Sequence, residues 1–418
     1  MGNKEILVLN AALYIGTFIL YQIKVKKFTL GSFVLLFYAT LATLAVNLFF
    51  RTDAVFYYAD RTLTVFPFIY LYVVLMMMFT PLLRFSETKI TNHVKSRQNI
   101  IIALSVLLIV FSVLFLIFRM NDLIFDGDAL AMIYREVRAE ARYREIGFGF
   151  SNFIGFSYTM LQSFAWLLLM YNLLYIRKKG LIYGLILAII VRILYDISIG
   201  GRMATFNVLL DVPFLYFVFR EQMSKKIKKI LLVIIIGVVG LGIFGSYIIT
   251  MSRFSDRLNP LVAVQDYMAQ SFINFNTFGL DAGGTRQGEQ TATLIKIIMG
   301  ADVARNSIER REKFWYLNVD NRIFYSFVGE FTIDFGPTMA FLIFVFAAMI
   351  FLKTLSAKSY HFGHILILLL LYQITVQGFS LYTFGNVGGN LQILLYIALF
   401  MIFNTKKEIV WRAKPARE

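Results

Sequence analysis

The sequence predicts an all-α polytopic membrane protein with about eleven transmembrane helices. It places the N-terminus outside and the C-terminus inside, with a long outer loop between spans 8 and 9. Three observations lead there. Apolar stretches of spanning length recur along the whole chain, and a bilayer core of ~30 Å needs ~20 apolar residues in a helix. Hydrophobic residues make up 59% of the 418 and the mean hydropathy is +0.70, outside the range of ordinary soluble proteins. Positive charge is concentrated in alternate gaps between the apolar stretches.

In chain order the expected spans cover 5–23, 28–50, 63–83, 100–118, 153–176, 181–199, 203–219, 230–250, 329–352, 362–380 and 388–404. The first is too long for a signal h-region and no small-residue cleavage site follows it, so it reads as retained. No Pro/Ser-rich linker, repeat or low-complexity tract divides the chain, which reads as one transmembrane domain, 1–418.

The alternate gaps fix the orientation. One set holds Lys24, Lys26 and Lys27, then Arg84 to Arg97, Arg177 to Lys179, Arg220 to Lys229, Lys353 and Lys358, and the C-terminal tail. It carries 22 of the 41 basic residues and only four acids, Glu87, Glu221, Glu408 and Glu418. By the positive-inside rule this set is cytoplasmic. The excess of positive charge is therefore a topology signal, and nucleic acid is not expected as a partner.

Absences narrow the chemistry. Without cysteine there is no disulfide, thiolate metal site or cysteine nucleophile. His93, His361 and His364 all fall in cytoplasmic gaps. No outward histidine is left to act as general base, so a carboxylate or tyrosine must serve there. No metal and no cofactor is expected.

Two outward gaps are long, 119–152 and 251–328. In the first, Arg135, Arg138 and Arg142 recur at helical spacing, either as a salt-bridged surface helix or as a fork-shaped array for phosphate oxygens. Asp126-Gly-Asp128 just before it is an isolated DxD. Between spans 6 and 7, Gly200-Gly201 permit a tight turn and place Arg202 at a helix N-terminus, a natural anion site. Arg192 and Asp196 stand four apart at the edge of the bilayer core, where charges pair or line a cavity. Asp211 lies near mid-span.

The second gap is the only place with room for a folded extramembrane element. Two short apolar runs within it, from Pro260 and from Thr293, read as amphipathic helices lying at the interface or re-entering. Its seven arginines, among them Arg286, Arg310 and Arg322, outnumber Lys296 and Lys313, a choice that suits bidentate anion recognition. Gly283-Gly284-Thr285-Arg286-Gln287-Gly288-Glu289 reads as a flexible polar turn. The gap closes with Asp320-Asn321-Arg322, Tyr325, Glu330 and Asp334. Glu330 and Asp334 are again four apart, at the expected mouth of the ninth span.

Several segments together resemble the Wzy-type polymerases of O-antigen and capsule repeat units. They are the Ser198-Ile-Gly200-Gly201-Arg202 turn, the arginine-rich loop before the fifth span, and the long outer loop closing on Asn321, Tyr325, Glu330 and Asp334-Phe-Gly336. Arg138 with Gly149, and Arg144 with Gly155, also fit the Arg-x10-Gly pattern of some members. The resemblance covers roughly 120–350 and implies a metal-independent glycosyltransferase of the bacterial inner membrane. Such an enzyme joins undecaprenyl-diphosphate-linked oligosaccharides at the outer face, alongside a chain-length regulator and a flippase. It implies Arg202, Arg192, Arg135, Arg138, Arg142, Arg286, Arg322 and Tyr325 as diphosphate or substrate ligands, and Glu330, Asp334 or Asp196 as the acceptor base. A ligase of this broad fold would favour an outer-loop histidine. A lipid-linked oligosaccharide flippase would need no carboxylate base.

Overall fold

The structure is a computed structural model that describes residues 1–51, 58, 60–90, 97–119, 150–198, 203–254, 260–304, 307–319 and 323–404. Among these there is no β-strand. The helices in chain order are α1 (Asn3–Val25), α2 (Leu30–Phe49), α3 (Val65–Leu83), α4 (Gln98–Arg119), α5 (Phe150–Gln162), α6 (Ala165–Tyr171), α7 (Lys179–Ser198) and α8 (Met203–Phe219). There follow α9 (Lys225–Phe254), α10 (Pro260–Asn274), α11 (Thr293–Ile298), α12 (Ser307–Lys313), α13 (Ser326–Phe335), α14 (Pro337–Thr354), α15 (Phe362–Thr375) and α16 (Val387–Asn404).

Nine helices among the described residues are long and apolar enough to cross a membrane: α1, α2, α3, α4, α7, α9, α14, α15 with its short extension to Phe379, and α16. The stretch expected as a single span at 153–176 is a helix pair, α5 and α6, bent by 58° around Ser163 and Phe164. It makes a tenth span if the pair crosses as one. The expected span at 203–219 is the shorter apolar α8, which contains Pro213. With 30 residues at ~1.5 Å each, α9 is about 45 Å long and exceeds the ~30 Å hydrocarbon core.

The basic gaps meet at one end of the bundle. Buried Glu87 accepts Lys27 Nζ at 3.1 Å and the Arg220 guanidinium, while Arg220 Nη1 donates to Phe28 O at 2.7 Å. Tyr360 N donates to Lys89 O at 2.7 Å, and the Tyr175 hydroxyl reaches Gln222. Four gaps that sequence separates widely, with the end of the 153–176 stretch, are thus stitched together, which is the grouping their charge predicts. At the opposite end Asn3 Nδ2 donates to Arg61 O at 2.8 Å, and Asn276 Nδ2 to Thr64 O at 2.7 Å.

The long gap is folded. Gln265 Nε2, on α10, reaches Leu44 O and Asn47 Oδ1 at the C-terminal end of α2, both at 3.1 Å. Seven residues on, Phe272 packs edge-on to Tyr14 and Tyr38, midway along α1 and α2. The helix therefore packs along α2 from its C-terminal end to its middle. Farther along, Ala282, Phe314, Leu317, Ile323, Tyr325 and Ile333 form a small apolar core of their own.

Candidate functional site

The site is built on α13, a ten-residue helix that the sequence reading merged into the ninth span. The expected span 329–352 is corrected by one dipeptide. Gly336 takes φ +77°, a conformation that favours glycine, and Pro337 opens α14 at its first turn. Pro337 lacks the N–H that would continue the earlier helix. Glu330 and Asp334 therefore lie on a separate element at the end opposite the basic gaps, on one face at i, i+4.

The glycine-rich turn packs against that face. Arg286 N donates to Ile333 O at 3.1 Å and Gly288 N to Asp334 O at 3.3 Å. Gly288 takes φ +79°, and a Cβ there would come within 3.0 Å of the Phe335 ring. This turn is not a flexible surface feature; it inserts a guanidinium into the interior. Arg286 Nε donates to Asp334 Oδ1 at 2.8 Å. Its Nη2 donates to Glu330 Oε2 at 2.6 Å and to Glu330 O at 3.3 Å. Asp334 Oδ2 accepts from Gln290 N at 3.0 Å and from both N and Oγ1 of Thr291 at 2.7 Å. Exposure is 3% for Arg286, 7% for Glu330 and zero for Asp334. Buried charges persist only with good geometry and full hydrogen bonding, and Asp334 has both. Its four donors mark it as the anchor of the cluster. Glu330 differs, for its Oε1 accepts no hydrogen bond among the described residues.

One arginine against two carboxylates leaves a buried negative charge. Arg310, on α12, supplies the balance. It lies within electrostatic reach of Arg286, Glu330, Asp334 and Glu289, yet its side chain makes no hydrogen bond or ion pair among the described residues. Its Nε is buried without a partner. Burial, and then the neighbouring Arg286 cation, hold its guanidinium below the ordinary arginine value against the pull of the three carboxylates. A guanidinium held near the surface with unused donors is a ready ligand for an anion.

Beside it, fully buried Glu289 accepts Lys296 Nζ at 2.9 Å, Lys313 Nζ at 3.2 and 3.3 Å, and Ala304 N at 2.6 Å. Burial alone would raise its pKa. The Ala304 N–H and the two ammonium groups outweigh that and hold it below the usual glutamate range.

Of the residues expected from sequence, the structure brings together Arg286, Glu330 and Asp334. Tyr325 is enclosed in the small apolar core, edge-on to Phe278, and so is not presented as a substrate ligand. Arg192 and Asp196 lie on α7 away from this cluster, with Asp196 buried and Arg192 half-buried near Tyr158. Arg135, Arg138, Arg142, Arg202 and Arg322 lie outside the described residues, as do Asp126 and Asp128. Arg310 was legible only as one arginine of seven, and Glu289 only as the end of a polar turn. Nothing in their spacing marks them, because Glu289 collects Lys296, Ala304 and Lys313 at irregular intervals and Arg310 is set beside the carboxylates only by the fold. No protein-family model, curated protein or solved structure matches the chain significantly.

Proposed function

We propose that the protein polymerises undecaprenyl-diphosphate-linked oligosaccharide repeat units at the outer face of the bacterial inner membrane. The observation that carries this reading is the unpaired Arg310 guanidinium beside a carboxylate with a free oxygen, Glu330, at one end of an apolar helix bundle. Transfer from a lipid diphosphate needs both groups. A hydroxyl of the acceptor sugar attacks the anomeric carbon of the donor glycan. The bond from that carbon to the diphosphate oxygen breaks, and the electron pair leaves with the lipid diphosphate. Arg310, together with Arg202, neutralises that leaving group. Glu330 Oε1 takes the hydroxyl proton. Arg286 and Asp334 hold Glu330 in place and do not touch substrate. Arginine neutralisation removes the need for a metal. A chain-length regulator and a flippase are the partners this activity calls for.

The test uses the purified full chain with lipid-linked repeat units, read as a ladder of elongated product. Arg310→Ala should lower elongation by about 100-fold or more, the scale of losing a preorganised donor to developing charge. Glu330→Gln should still bind the lipid-linked unit but not elongate it. A full ladder from both variants refutes the assignment. A lipid-linked oligosaccharide transporter would use the same cation without a proton acceptor. Transport that survives Glu330→Gln, with no ladder from the wild type, favours that second reading.

A further inference from the structure

Among the described residues, the part of the gap from α11 onward presents six large apolar side chains outward. Ile295, Ile297, Ile298 and Met299 lie on and just after α11, and Trp315 and Tyr316 follow α12. Met299 is 78% exposed, Ile298 75% and Trp315 80%. Isolated exposed apolar residues are ordinary, but a concentration in two short stretches marks a surface that meets something apolar.

The two stretches form one rigid unit. Lys296, beside the first, and Lys313, beside the second, both end on Glu289. Ala304 N, from the intervening turn, ends there too. The tip is capped: Gly300 takes φ +75°, and Ala301 N donates back to Lys296 O at 2.9 Å, a left-handed helix stop. The apolar residues are held out by hydrogen-bonded backbone.

Their position identifies the occupant. Leu294 N donates to Asn390 Oδ1 at 3.0 Å and Thr293 Oγ1 to Gly385 O at 2.9 Å, so α11 is pinned to the first turn of α16. Along α16, Leu394, Ile397 and Met401 are exposed on a helix of spanning length, the pattern of a lipid-facing surface. The exposed residues of the α11 tip begin at Ile295, the residue after the one bonded to Asn390. Tryptophan and tyrosine beside lysine and arginine are the mixture found where hydrocarbon meets headgroups.

We propose that Ile295–Met299 and Trp315–Tyr316 seat in the bilayer leaflet at the end of the bundle carrying Arg286, Glu330 and Asp334, and so open that cluster sideways to phosphate groups borne on lipids. The second clause rests on the proposed function; the seating does not. Thr291, which holds Asp334, stands only four residues before Ile295, so a headgroup reaching the cluster keeps its chain in the leaflet.

The absence of cysteine allows a direct test in the full chain. Nitroxide labels at Ile298→Cys and Trp315→Cys are measured in vesicles of phosphatidylethanolamine and phosphatidylglycerol, with Ile397→Cys as lipid reference and exposed Asp281→Cys as water reference. Collisions with oxygen should exceed those with an aqueous nickel chelate at 298 and 315, as at 397, and the reverse should hold at 281. Nickel dominance at 298 and 315 overturns the proposal, since the surface then faces water. Exclusion of both reagents overturns it as well, since a protein partner then covers the patch. A second measurement avoids labelling: with Trp166→Phe and Trp411→Phe, Trp315 emission should be quenched by lipids brominated near the carbonyl end. Absence of that quenching also overturns the seating. Failure of the polymerase reading would show as full product ladders from Arg310→Ala and Glu330→Gln, and would leave these results unchanged.

Discussion

Arg286 Nε and Asp334 Oδ1 lie 2.8 Å apart although 48 residues separate them in the chain. That contact joins the glycine-rich turn to a helix the sequence placed inside a span, and it turns two scattered motifs into one site. Breaking a buried ion pair from one side costs about 3–5 kcal/mol, because the partner charge is left without compensation. Arg286→Ala should therefore lower both the amount of protein and its melting temperature in detergent, read by fluorescence-detected gel filtration. Arg286→Lys should recover only part of this, since an ammonium cannot span both carboxylates as the fork does. A wild-type melt for Arg286→Ala would remove the cluster's structural role.

Arg202 is expected to act on substrate and not on folding. Arg202→Ala should abolish chain elongation at near-normal protein level, and Arg202→Lys should restore little. Polymer of normal length from the alanine variant contradicts this, and loss of the protein itself points instead to a bracing role.

Orientation is testable by cysteine labelling in whole cells, and the structure decides which positions to use. Ser271 lies in the long gap but is buried on α10, so a cysteine there stays unlabelled whatever the topology. Asp281 and Gln287 are exposed, as is Ser356 near the opposite, basic end. Cysteines at 281 and 287 should react with an impermeant maleimide from outside, and one at 356 should not. The opposite pattern inverts the topology.

Elongation should survive washing of the membranes with a chelator. Activity that disappears with chelation, returns with Mg²⁺ or Mn²⁺ and is lost in Asp126→Asn would replace the arginine-only account with a metal-assisted one.

Glu289 makes the folded gap sensitive to acid. Its folded-state pKa lies below the ordinary glutamate value of ~4.3. Its contribution is therefore complete above that value and is lost as pH falls through the lower folded value. A nitroxide at Ile298→Cys should stay immobile from neutral pH down to about pH 4 and become mobile below it. With Glu289→Gln it should be mobile throughout, and a pH-independent immobile signal in both backgrounds excludes the Glu289 clasp.

Helical class, the positions of most spanning-length helices and the grouping of the basic gaps were legible in the chain. The first helix, expected over 5–23, covers Asn3–Val25; the second, expected over 28–50, covers Leu30–Phe49. These features follow from properties of single residues summed over a window: the gain from placing each apolar side chain in hydrocarbon and the cost of each charge there. Glu330 and Asp334 were legible for the same reason, as a costly pair near lipid.

What the sequence could not determine depends on pairs of distant residues or on a single backbone angle. The break at Gly336 and Pro337 is invisible to hydropathy, because large apolar residues continue on both sides of it, Phe331, Ile333 and Phe335 before and Met339, Phe341 and Leu342 after. Tyr325 carries the polar tip of a substrate ligand, yet a core assembled from Ala282, Phe314 and Ile333 encloses it. Arg286 pairs with Glu330 and Asp334, and Arg310 Nε is left without a partner, only because the turn at 283–288 closes on α13 and not elsewhere. Local composition sets where each residue sits relative to a bilayer, but the free energy of an ion pair depends on the separation and shared burial of two groups, and tertiary structure alone fixes both.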